Sequence, residues 1–279
     1  GAAVAWGSET LRRSADEVVP GNGPGAVARY MRDILSLPRI PPERMGRRQM
    51  RLGTLSTGEP LDLAIRGRNF LIGGDPKSGK SWIAGSLCEQ LILQRYSLCI
   101  LDPEGDYTCL EALPGVIVQS VGGKEGLFLG LERVLTHPDL SLVIDMSSAP
   151  REEKPLLVRQ LLEAINRLRR ATGLPHRVVV DEAHYFLNRL DAPALFDREL
   201  GGYLLVTYRI SDLSPDILRA SEAVIVTRVE DRRQALALLE LAPGAGTPSE
   251  WMTLLADLAI DEAVLLPGTL ETGNSLRRF

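Results

Sequence analysis

One short segment restricts the fold more than any other, because it places a glycine-rich loop between an apolar run and an amphipathic stretch. The apolar run is Asn69–Gly73, and the amphipathic stretch, Lys80–Gln94, carries apolar residues at helical spacing. The loop between them reads Gly74-Asp75-Pro76-Lys77-Ser78-Gly79-Lys80-Ser81 and fits the pattern G-x-x-x-x-G-K-[ST] at every position. The segment therefore predicts a strand, a phosphate-binding loop and a helix, in that order.

The spacing within this loop follows from the chemistry of a bound phosphate. Glycines let successive backbone N–H groups point inward, and the N-terminus of the following helix adds a field that favours anions. Lys80 is expected to reach the β- and γ-phosphates of ATP, and the Ser81 hydroxyl to coordinate Mg²⁺. An inward-pointing Asp75 would weaken binding by charge repulsion, and a chance match is the alternative to a functional loop. The candidate nucleotide-binding residues are Gly74, Asp75, Pro76, Lys77, Ser78, Gly79, Lys80, Ser81 and Trp82.

A second apolar run, Val178–Val180, ends in two adjacent carboxylates, Asp181 and Glu182. Asp181 is expected to hold the Mg²⁺ ion through water, and Glu182 to polarise the attacking water as a general base. This favours hydrolysis over transfer to a substrate hydroxyl. Asp145 also ends an apolar run, but no second carboxylate follows it, so Asp181 is preferred. A solvated strand-end pair without a catalytic role is the alternative.

Two residues further along the chain are additional candidates for catalytic roles. Thr207 ends the run Tyr203–Thr207 and is expected to contact the γ-phosphate or the attacking water, although a threonine is also common at the end of a strand. Arg228 lies in the predicted strand Val224–Val229 and is expected to stabilise the phosphoryl group bound by a neighbouring subunit. A surface or ion-pair role is the alternative for Arg228.

From Leu61 onward, apolar runs without alternation are separated by helical stretches, which predicts an α/β fold with a mostly parallel sheet covered by helices on both faces. Ligands bind such sheets at the carboxyl ends of the strands. The predicted strands are Asn69–Gly73, Leu98–Leu101, Val116–Val118, Ser141–Ile144, Arg177–Val180, Tyr203–Thr207 and Val224–Val229. The predicted helices are Lys80–Gln94, Gly126–Leu135, Glu152–Arg170 and a segment around Arg232–Glu240.

The first part of the chain has a different character. Residues 1–37 are predicted to form a short α/β unit, with a helix start at Ser8, a break at Gly21–Gly25 and a helix over Ala26–Leu35. Residues 38–60 are rich in proline, arginine and glycine and are predicted to be a linker. Residues 61–279 then form the phosphate-binding domain.

Composition and charge argue against several classes of protein. The net charge is −4 over 279 residues, so the basic excess of many nucleic-acid binders is absent, although a local basic face remains open. Cys88, Cys99 and Cys109 form no C-x-x-C pair, so neither a disulfide framework nor a zinc site is predicted. No apolar stretch has the length of a membrane span, so no membrane partner and a cytoplasmic location are expected.

Four segments together resemble the HerA/FtsK-type P-loop ATPases, and in particular the HerA-like DUF87 group. They are Gly73–Ser81, Leu101–Tyr107, Val180–His184 and Thr207–Leu218, and the resemblance extends over about Leu61–Leu266. It implies a RecA-like core that hydrolyses ATP with Mg²⁺, assembles into a hexameric ring and moves DNA.

The same resemblance assigns roles by position. Lys80, Ser81, Asp181 and Glu182 keep the roles given above, and Arg228 stands where the family has its arginine finger. Two features differ from the family. Tyr208 replaces a glutamine that senses the γ-phosphate, and the β-barrel that precedes the core in HerA helicases is not visible in the sequence.

Residues 1–37 resemble the last segment of Cof-type haloacid-dehalogenase phosphatases, on the segments Ala3–Leu11, Ala15–Val18 and Gly25–Ala28. The catalytic aspartates of that family lie upstream of this segment. The resemblance, together with the absence of an initiating methionine, implies a fragment of a longer fusion protein in which a phosphatase precedes the ATPase.

Three functions are therefore open at this stage. The first is a ring-shaped motor that translocates DNA, and the second is a nucleotide-dependent regulator of a fused phosphatase. The third, a small-molecule kinase, is disfavoured by Glu182.

Overall fold

The computed structural model describes residues 2–9, 12, 15, 17–36, 49–65, 68–121, 124–137, 139–173, 176–188, 195–242, 246–266 and 276–279, without the side chains of 124–127 and 129. The chain divides into two compact units, Gly1–Gln49 and Met50–Phe279.

In the first unit, strands β1 (Ala2–Val4) and β2 (Glu17–Val19) pair in parallel, and helix α1 covers Gly23–Ser36. The predicted break at Gly21–Gly25 is wrong in its second half, because the helix already begins at Gly23. Proline is tolerated in a first helical turn, since its missing N–H would have no partner there, so Pro24 does not delay the helix. The predicted helix start at Ser8 falls largely outside the described residues, and the likeness to a phosphatase tail stays a prediction.

The second unit is built on a sheet whose order, among the described residues, is β13-β12-β11-β5-β10-β9-β6-β8-β7. All neighbours from β11 to β7 are parallel, while β12 and β13 are added antiparallel at one edge. The strands are β5 (Phe70–Gly73), β6 (Leu98–Asp102), β7 (Val116–Ser120), β8 (Ser141–Asp145), β9 (Arg177–Val180), β10 (Tyr203–Thr207), β11 (Ala223–Val226), β12 (Val264–Leu265) and β13 (Arg277–Arg278).

Helices cover both faces of this sheet, which confirms the predicted fold class. Alternate residues of one strand belong to different cores: Leu71 packs in one, whereas Phe70 and Ile72 pack in the other. The Leu71 side also holds α3, α4, α6 and α7, and the Phe70 side holds α2. The helices are α2 (Lys80–Leu93), α3 (Lys124–Leu135), α4 (Lys154–Thr172), α5 (Pro215–Ala220), α6 (Arg232–Leu239) and α7 (Pro248–Ala256).

The linker predicted over residues 38–60 is wrong in its last part. Strands β3 (Gln49–Thr54) and β4 (Pro60–Ala64) pair with each other there, while residues 38–48 lie outside the described part of the chain. The cause is apolar burial, because Met50, Leu61 and Leu63 join the core on the α2 side of the sheet. The Gln90 amide of α2 fixes the position of β3, since it bonds both the N–H and the carbonyl of Arg51, at 2.8 and 3.0 Å.

Among the residues that the structure describes, no helix is long and apolar enough to cross a membrane.

Candidate functional site

The predicted phosphate loop leaves the carboxyl end of β5, in the interior of the sheet. Thr207, at the end of β10, lies directly beside Gly73 in the register of these two strands. On its other side β10 pairs with β9, the strand that leads into Asp181. The strand order therefore brings the phosphate loop, Thr207 and the acidic pair to neighbouring positions at one edge of the sheet.

Close packing explains why the loop needs its two glycines. A Cβ atom at Gly74 would lie 1.9 Å from the Thr227 hydroxyl oxygen, which is far inside contact distance. Gly79 caps α2 in a left-handed conformation with φ 95°, and a Cβ there would lie 2.9 Å from the carbonyl oxygen of Ile260. Both positions therefore require glycine if the loop is to keep this shape.

Asp75 does not point its charge into the loop. Its carboxylate accepts a 2.7 Å hydrogen bond from the Glu230 N–H, and its own N–H donates to the Arg228 carbonyl at 2.9 Å. Asp75 thus attaches the phosphate loop to the segment after β11. The repulsion expected from an inward-pointing Asp75 does not arise in this arrangement.

Lys80 and Ser78 hold the loop closed from inside. The Lys80 ammonium donates to the Asp75 carbonyl at 2.7 Å, and the Ser78 hydroxyl donates to the same oxygen at 2.7 Å. Burial lowers the pKa of Lys80, while Glu182 and Asp181 act in the opposite direction. The ammonium therefore lies within the field of the acidic pair.

Burial perturbs the pKa of both carboxyl groups of the acidic pair. Asp181 is buried, and this burial raises its pKa to about 7, although the Glu182 N–H donates to its carboxylate at 2.8 Å. Burial also raises the pKa of Glu182, against the effect of Lys80. Glu182 adopts a left-handed backbone with φ 50° and ψ 41°, an uncommon conformation for a residue with a side chain.

Asp145, the rival to Asp181, ends a strand farther from the phosphate loop. In the sheet order β8 lies two strands beyond β9, which amounts to roughly 10 Å at the usual strand spacing. The Asp145 carboxylate binds the Ser147 N–H and the Ser120 hydroxyl at 2.9 and 3.0 Å. The strand order therefore favours Asp181.

Thr207 is fully buried, and its hydroxyl is engaged by protein groups. It accepts from the Arg209 N–H at 3.0 Å and lies 3.0 Å from Nδ1 of His184. His184 Nδ1 is in turn 3.4 Å from a carboxylate oxygen of Glu182. Thr207 thus lies against His184, whose ring is next to Glu182, and its predicted contact with the γ-phosphate stays a prediction.

A cavity of about 690 Å³ connects the phosphate loop with the acidic pair. Its volume is in the range usual for small-molecule sites. Besides the phosphate loop and the acidic pair it is lined by side chains from two further segments and from the end of β10. The lining residues are Pro76, Lys77, Lys80, Ser81, Pro103, Glu104, Ala149, Arg151, Lys154, Pro155, Asp181, Glu182, Tyr185, Phe186 and Tyr208.

The residues present fit a magnesium ion of the P-loop type. The Ser81 hydroxyl and the Asp181 carboxylate both line this cavity, and oxygen is the ligand that Mg²⁺ prefers. Within the described part of the chain, no three His, Cys, Asp or Glu residues cluster as a metal site.

Arg228 and Trp82 lie on the outside of this arrangement. β11 ends at Val226, so Arg228 follows the strand instead of lying in it as predicted, because the segment after β11 turns to bind Asp75. The Arg228 guanidinium is 3.6 Å from Glu230. Trp82, in the first turn of α2, is 86% exposed, which is unusual for so large an apolar side chain.

Sequence reasoning missed the structural role of Asp102, although it used the surrounding segment as a family marker. Asp102 is fully buried and accepts hydrogen bonds from the N–H groups of Gly105, Asp106 and Tyr107 at 2.8, 3.1 and 2.9 Å. Gly105 takes the left-handed conformation that this turn requires, with φ 88°. The motif thus fixes the loop that brings Pro103 and Glu104 to the cavity.

A phosphate loop at the end of a central strand, an acidic pair at the end of β9 two strands along the sheet, and a cavity lined by both have the arrangement of a RecA-like P-loop fold. Residues 51–124 match the family described as DUF87, the central domain of helicase HerA. Over these residues the match confirms the predicted resemblance to the HerA-like DUF87 group. No curated protein sequence matches the chain.

Solved structures support the same fold. VirB4 of Thermoanaerobacter pseudethanolicus matches with a TM-score of 0.60 at 14% identity, over 83% of this chain and 96% of that one. The genome packaging NTPase B204 of Sulfolobus turreted icosahedral virus 2, in complex with AMPPCP, matches with a TM-score of 0.53 at 14% identity, over 76% and 96%. The bacterial conjugative coupling protein TrwB matches with a TM-score of 0.52 at 12% identity, over 77% and 86%. At these identities the likeness establishes the fold alone.

Proposed function

We propose that residues 50–279 bind ATP with Mg²⁺ and hydrolyse it to ADP and phosphate. The observation that carries this proposal is the shared cavity, since Lys80 and Ser81 of the phosphate loop line it together with Asp181 and Glu182. Phosphate binding and water activation are thereby available in one cavity. The relation to the HerA family and a structural neighbour bound to AMPPCP agree with this function.

Each residue has a distinct task in the proposed reaction. The loop N–H groups and Lys80 bind the phosphate oxygens, so Lys80 exchanges its present bond to the Asp75 carbonyl for the nucleotide. Ser81 and Asp181 would hold Mg²⁺, which offsets the negative charge of the β- and γ-phosphates. Glu182 accepts a proton from a water molecule while the oxygen of that water attacks the γ-phosphorus. At the same time the bond between the γ-phosphorus and the β–γ bridging oxygen breaks.

The position of Glu182 also orients the nucleotide. The γ-phosphate must face Glu182, so the α-phosphate and the base extend towards the start of α2. There Trp82 is 86% exposed and Ile260 is 71% exposed, and the Ile260 carbonyl lies against Gly79. Residues 79 and 82 are three positions apart and share one side of the helix. The base is therefore proposed to stack on Trp82 beside Ile260.

A second function, DNA translocation by a ring of subunits, is favoured by the match to the HerA central domain. One structural neighbour is described as a genome packaging NTPase. In such a ring Arg228 is proposed to act on the nucleotide of the adjacent subunit. The net charge of −4 is against an extensive DNA-binding surface, so this function ranks below ATP hydrolysis. Regulation of a fused phosphatase stays open as a further candidate.

Phosphate release from ATP, with and without double-stranded DNA, tests these proposals. Hydrolysis that requires Mg²⁺ and is lost in Lys80→Ala supports the ATPase, and stimulation by DNA in a multi-subunit assembly supports the motor. A monomer whose turnover ignores DNA would exclude translocation but not hydrolysis. ATP consumption that yields a phosphorylated acceptor and no free phosphate would revive the kinase.

A further inference from the structure

Arg151 lines the nucleotide cavity from a segment that the proposed mechanism does not use. It lies in the connection between β8 and α4; Ala149 of the same connection, and Lys154 and Pro155 at the start of α4, also line the cavity. Sequence reasoning passed over this connection because it carries no motif. The parallel sheet nevertheless brings it to the carboxyl edge where the nucleotide is proposed to bind.

Tyr185 contacts the Arg151 side chain directly, and Tyr208 contacts Tyr185 in turn. The Arg151 guanidinium donates to the Tyr185 hydroxyl at 3.0 Å, and its central carbon lies 5.6 Å from the centre of the Tyr185 ring. The Tyr185 hydroxyl is 3.2 Å from the hydroxyl of Tyr208. Tyr185 ends the short 3-10 helix Ala183–Tyr185, and Tyr208 directly follows β10. Arg151 is thus connected to both segments that flank the acidic pair.

The tyrosines are themselves held by the buried ring of His184. This ring lies 4.1 Å from the centre of the Tyr185 ring and 4.5 Å from that of Tyr208. Its Nδ1 atom faces the hydroxyl of Thr207 at 3.0 Å and a carboxylate oxygen of Glu182 at 3.4 Å. Arg151 is therefore linked through packed rings to His184, whose Nδ1 atom lies beside Glu182.

Arg151 still has donors for an anion. A guanidinium has five N–H groups, and the Tyr185 hydroxyl uses one of them. Lys154 differs, since its ammonium donates to the Pro103 carbonyl at 2.6 Å and lies 3.6 Å from Glu104. Among the described residues Arg151 forms no ion pair with a carboxylate, so its charge is available within the cavity.

We propose that Arg151 contacts the γ-phosphate of ATP bound in its own chain, and that Tyr185 and Tyr208 are positioning residues that hold it there. The proposal rests on the proposed ATPase function. Negative charge on the γ-phosphate oxygens is stabilised in the transition state by a fixed cation. The proposal also gives a physical role to Tyr208, which stands where the HerA-type family has a glutamine. The phenol of Tyr208 helps to position an arginine, and that arginine makes the phosphate contact.

Steady-state kinetics test the phosphate contact. Arg151→Ala should lower kcat at least about 100-fold and change KM by less than about threefold, because the contact forms chiefly in the transition state. Arg151→Lys, which keeps the charge but not the fork, should recover part of kcat. Arg198→Ala, which removes an exposed arginine paired with Asp216, is the matched control and should leave both constants unchanged.

The positioning role has its own readout. Tyr185→Phe removes the hydroxyl that binds Arg151 and should lower kcat about tenfold with KM unchanged. Combined with Arg151→Ala it should cause no additional loss, because both changes remove one contact. Full additivity of the two effects would show that Tyr185 acts independently of Arg151 and would overturn the positioning role.

A mixing experiment decides whether Arg151 acts in its own chain. Arg151→Ala subunits mixed with Lys80→Ala subunits should stay inactive, since no subunit then has both an intact phosphate loop and its own Arg151. Recovered activity would show that a neighbour supplies Arg151 and would overturn the inference, as would a full kcat in Arg151→Ala. If the wild-type protein hydrolyses no ATP, the proposed function fails first and this inference fails with it.

Discussion

Replacing Glu182 by glutamine should separate ATP binding from ATP hydrolysis. The two side chains have almost the same shape, so the substitution removes the ability to accept a proton while keeping the packing against His184. The backbone N–H of Glu182, which binds Asp181, is unaffected. The dissociation constant for ATP with Mg²⁺ should therefore stay within about threefold of the wild-type value.

The size of the kinetic effect follows from the role of a general base. Loss of such a base lowers rates by roughly 10²–10⁴-fold, which is about 2.7–5.5 kcal/mol of activation free energy at 25 °C. Burial raises the pKa of Glu182 towards neutral pH, where a carboxylate is a more effective base, so we expect a loss in the upper half of this range.

Single-turnover measurement of ATP cleavage in quenched samples, with the protein in excess over ATP and above its dissociation constant, gives this rate without interference from product release. Glu104→Gln is the matched control, since Glu104 lines the same cavity with a side chain that is 60% exposed and should change the rate little. A Glu182→Gln rate within threefold of wild type would refute the assignment of Glu182 as the base.

Three further substitutions test the site. Gly74→Ala would place a Cβ atom 1.9 Å from the Thr227 hydroxyl, so the free energy of unfolding measured in urea should fall by about 1–3 kcal/mol. Gly85→Ala, which has open space around its Cβ, should not lower the free energy of unfolding. The raised pKa of Asp181, about 7, means that the unliganded protein loses stability as pH rises from the ordinary carboxylate value of 3.8 to 7. Binding of ATP with Mg²⁺ needs the ionised form, so titrations should show about tenfold weaker affinity near pH 6 than near pH 8, and less pH dependence in Asp181→Asn. Trp82→Ala should weaken ATP binding by about 1–3 kcal/mol in fluorescence titrations, whereas binding of inorganic tripolyphosphate, which has no base, should stay unchanged. Equal losses of binding free energy for the two ligands would contradict stacking of the base on Trp82.

The sequence predicted the central strands well because they are buried on both faces. Arg177–Val180 and Tyr203–Thr207 have the observed bounds, since each is an apolar run that ends at a polar group. Val224–Val229 was too long, because the chain leaves the sheet at Val226 to bind Asp75, and that contact has no signal in the local pattern.

Some elements carried signals that the sequence reasoning did not use. Ser214 caps α5 through the Asp216 N–H, and Thr247 forms a capping box with Glu250 at the start of α7. Both are standard helix-start patterns followed by proline. The strand pair β3–β4 was missed for another reason. Prolines and arginines dominate the sequence around Met50 and indicate a linker, whereas the burial of the few apolar residues there depends on distant α2, which carries Gln90.

The site was predictable in its motifs but not in its completion. The phosphate loop and the acidic pair are local patterns, and their chemistry fixes their spacing. Arg151 and Tyr185 have no such pattern, because they reach the cavity only through the order in which β6, β8 and β9 assemble. The direction of the Asp75 side chain likewise depends on Glu230, which is distant in sequence.

Stabilisation of the folded protein by ATP with Mg²⁺ tests the central claim most directly. Ligand at about one hundred times its dissociation constant should add about 2.7 kcal/mol to the free energy of unfolding of the wild-type chain. Lys80→Ala should show little or none of this gain, because the ammonium that reaches the phosphates is gone. A wild-type chain that ATP does not stabilise, or a Lys80→Ala chain stabilised to the same extent, would contradict nucleotide binding at the phosphate loop.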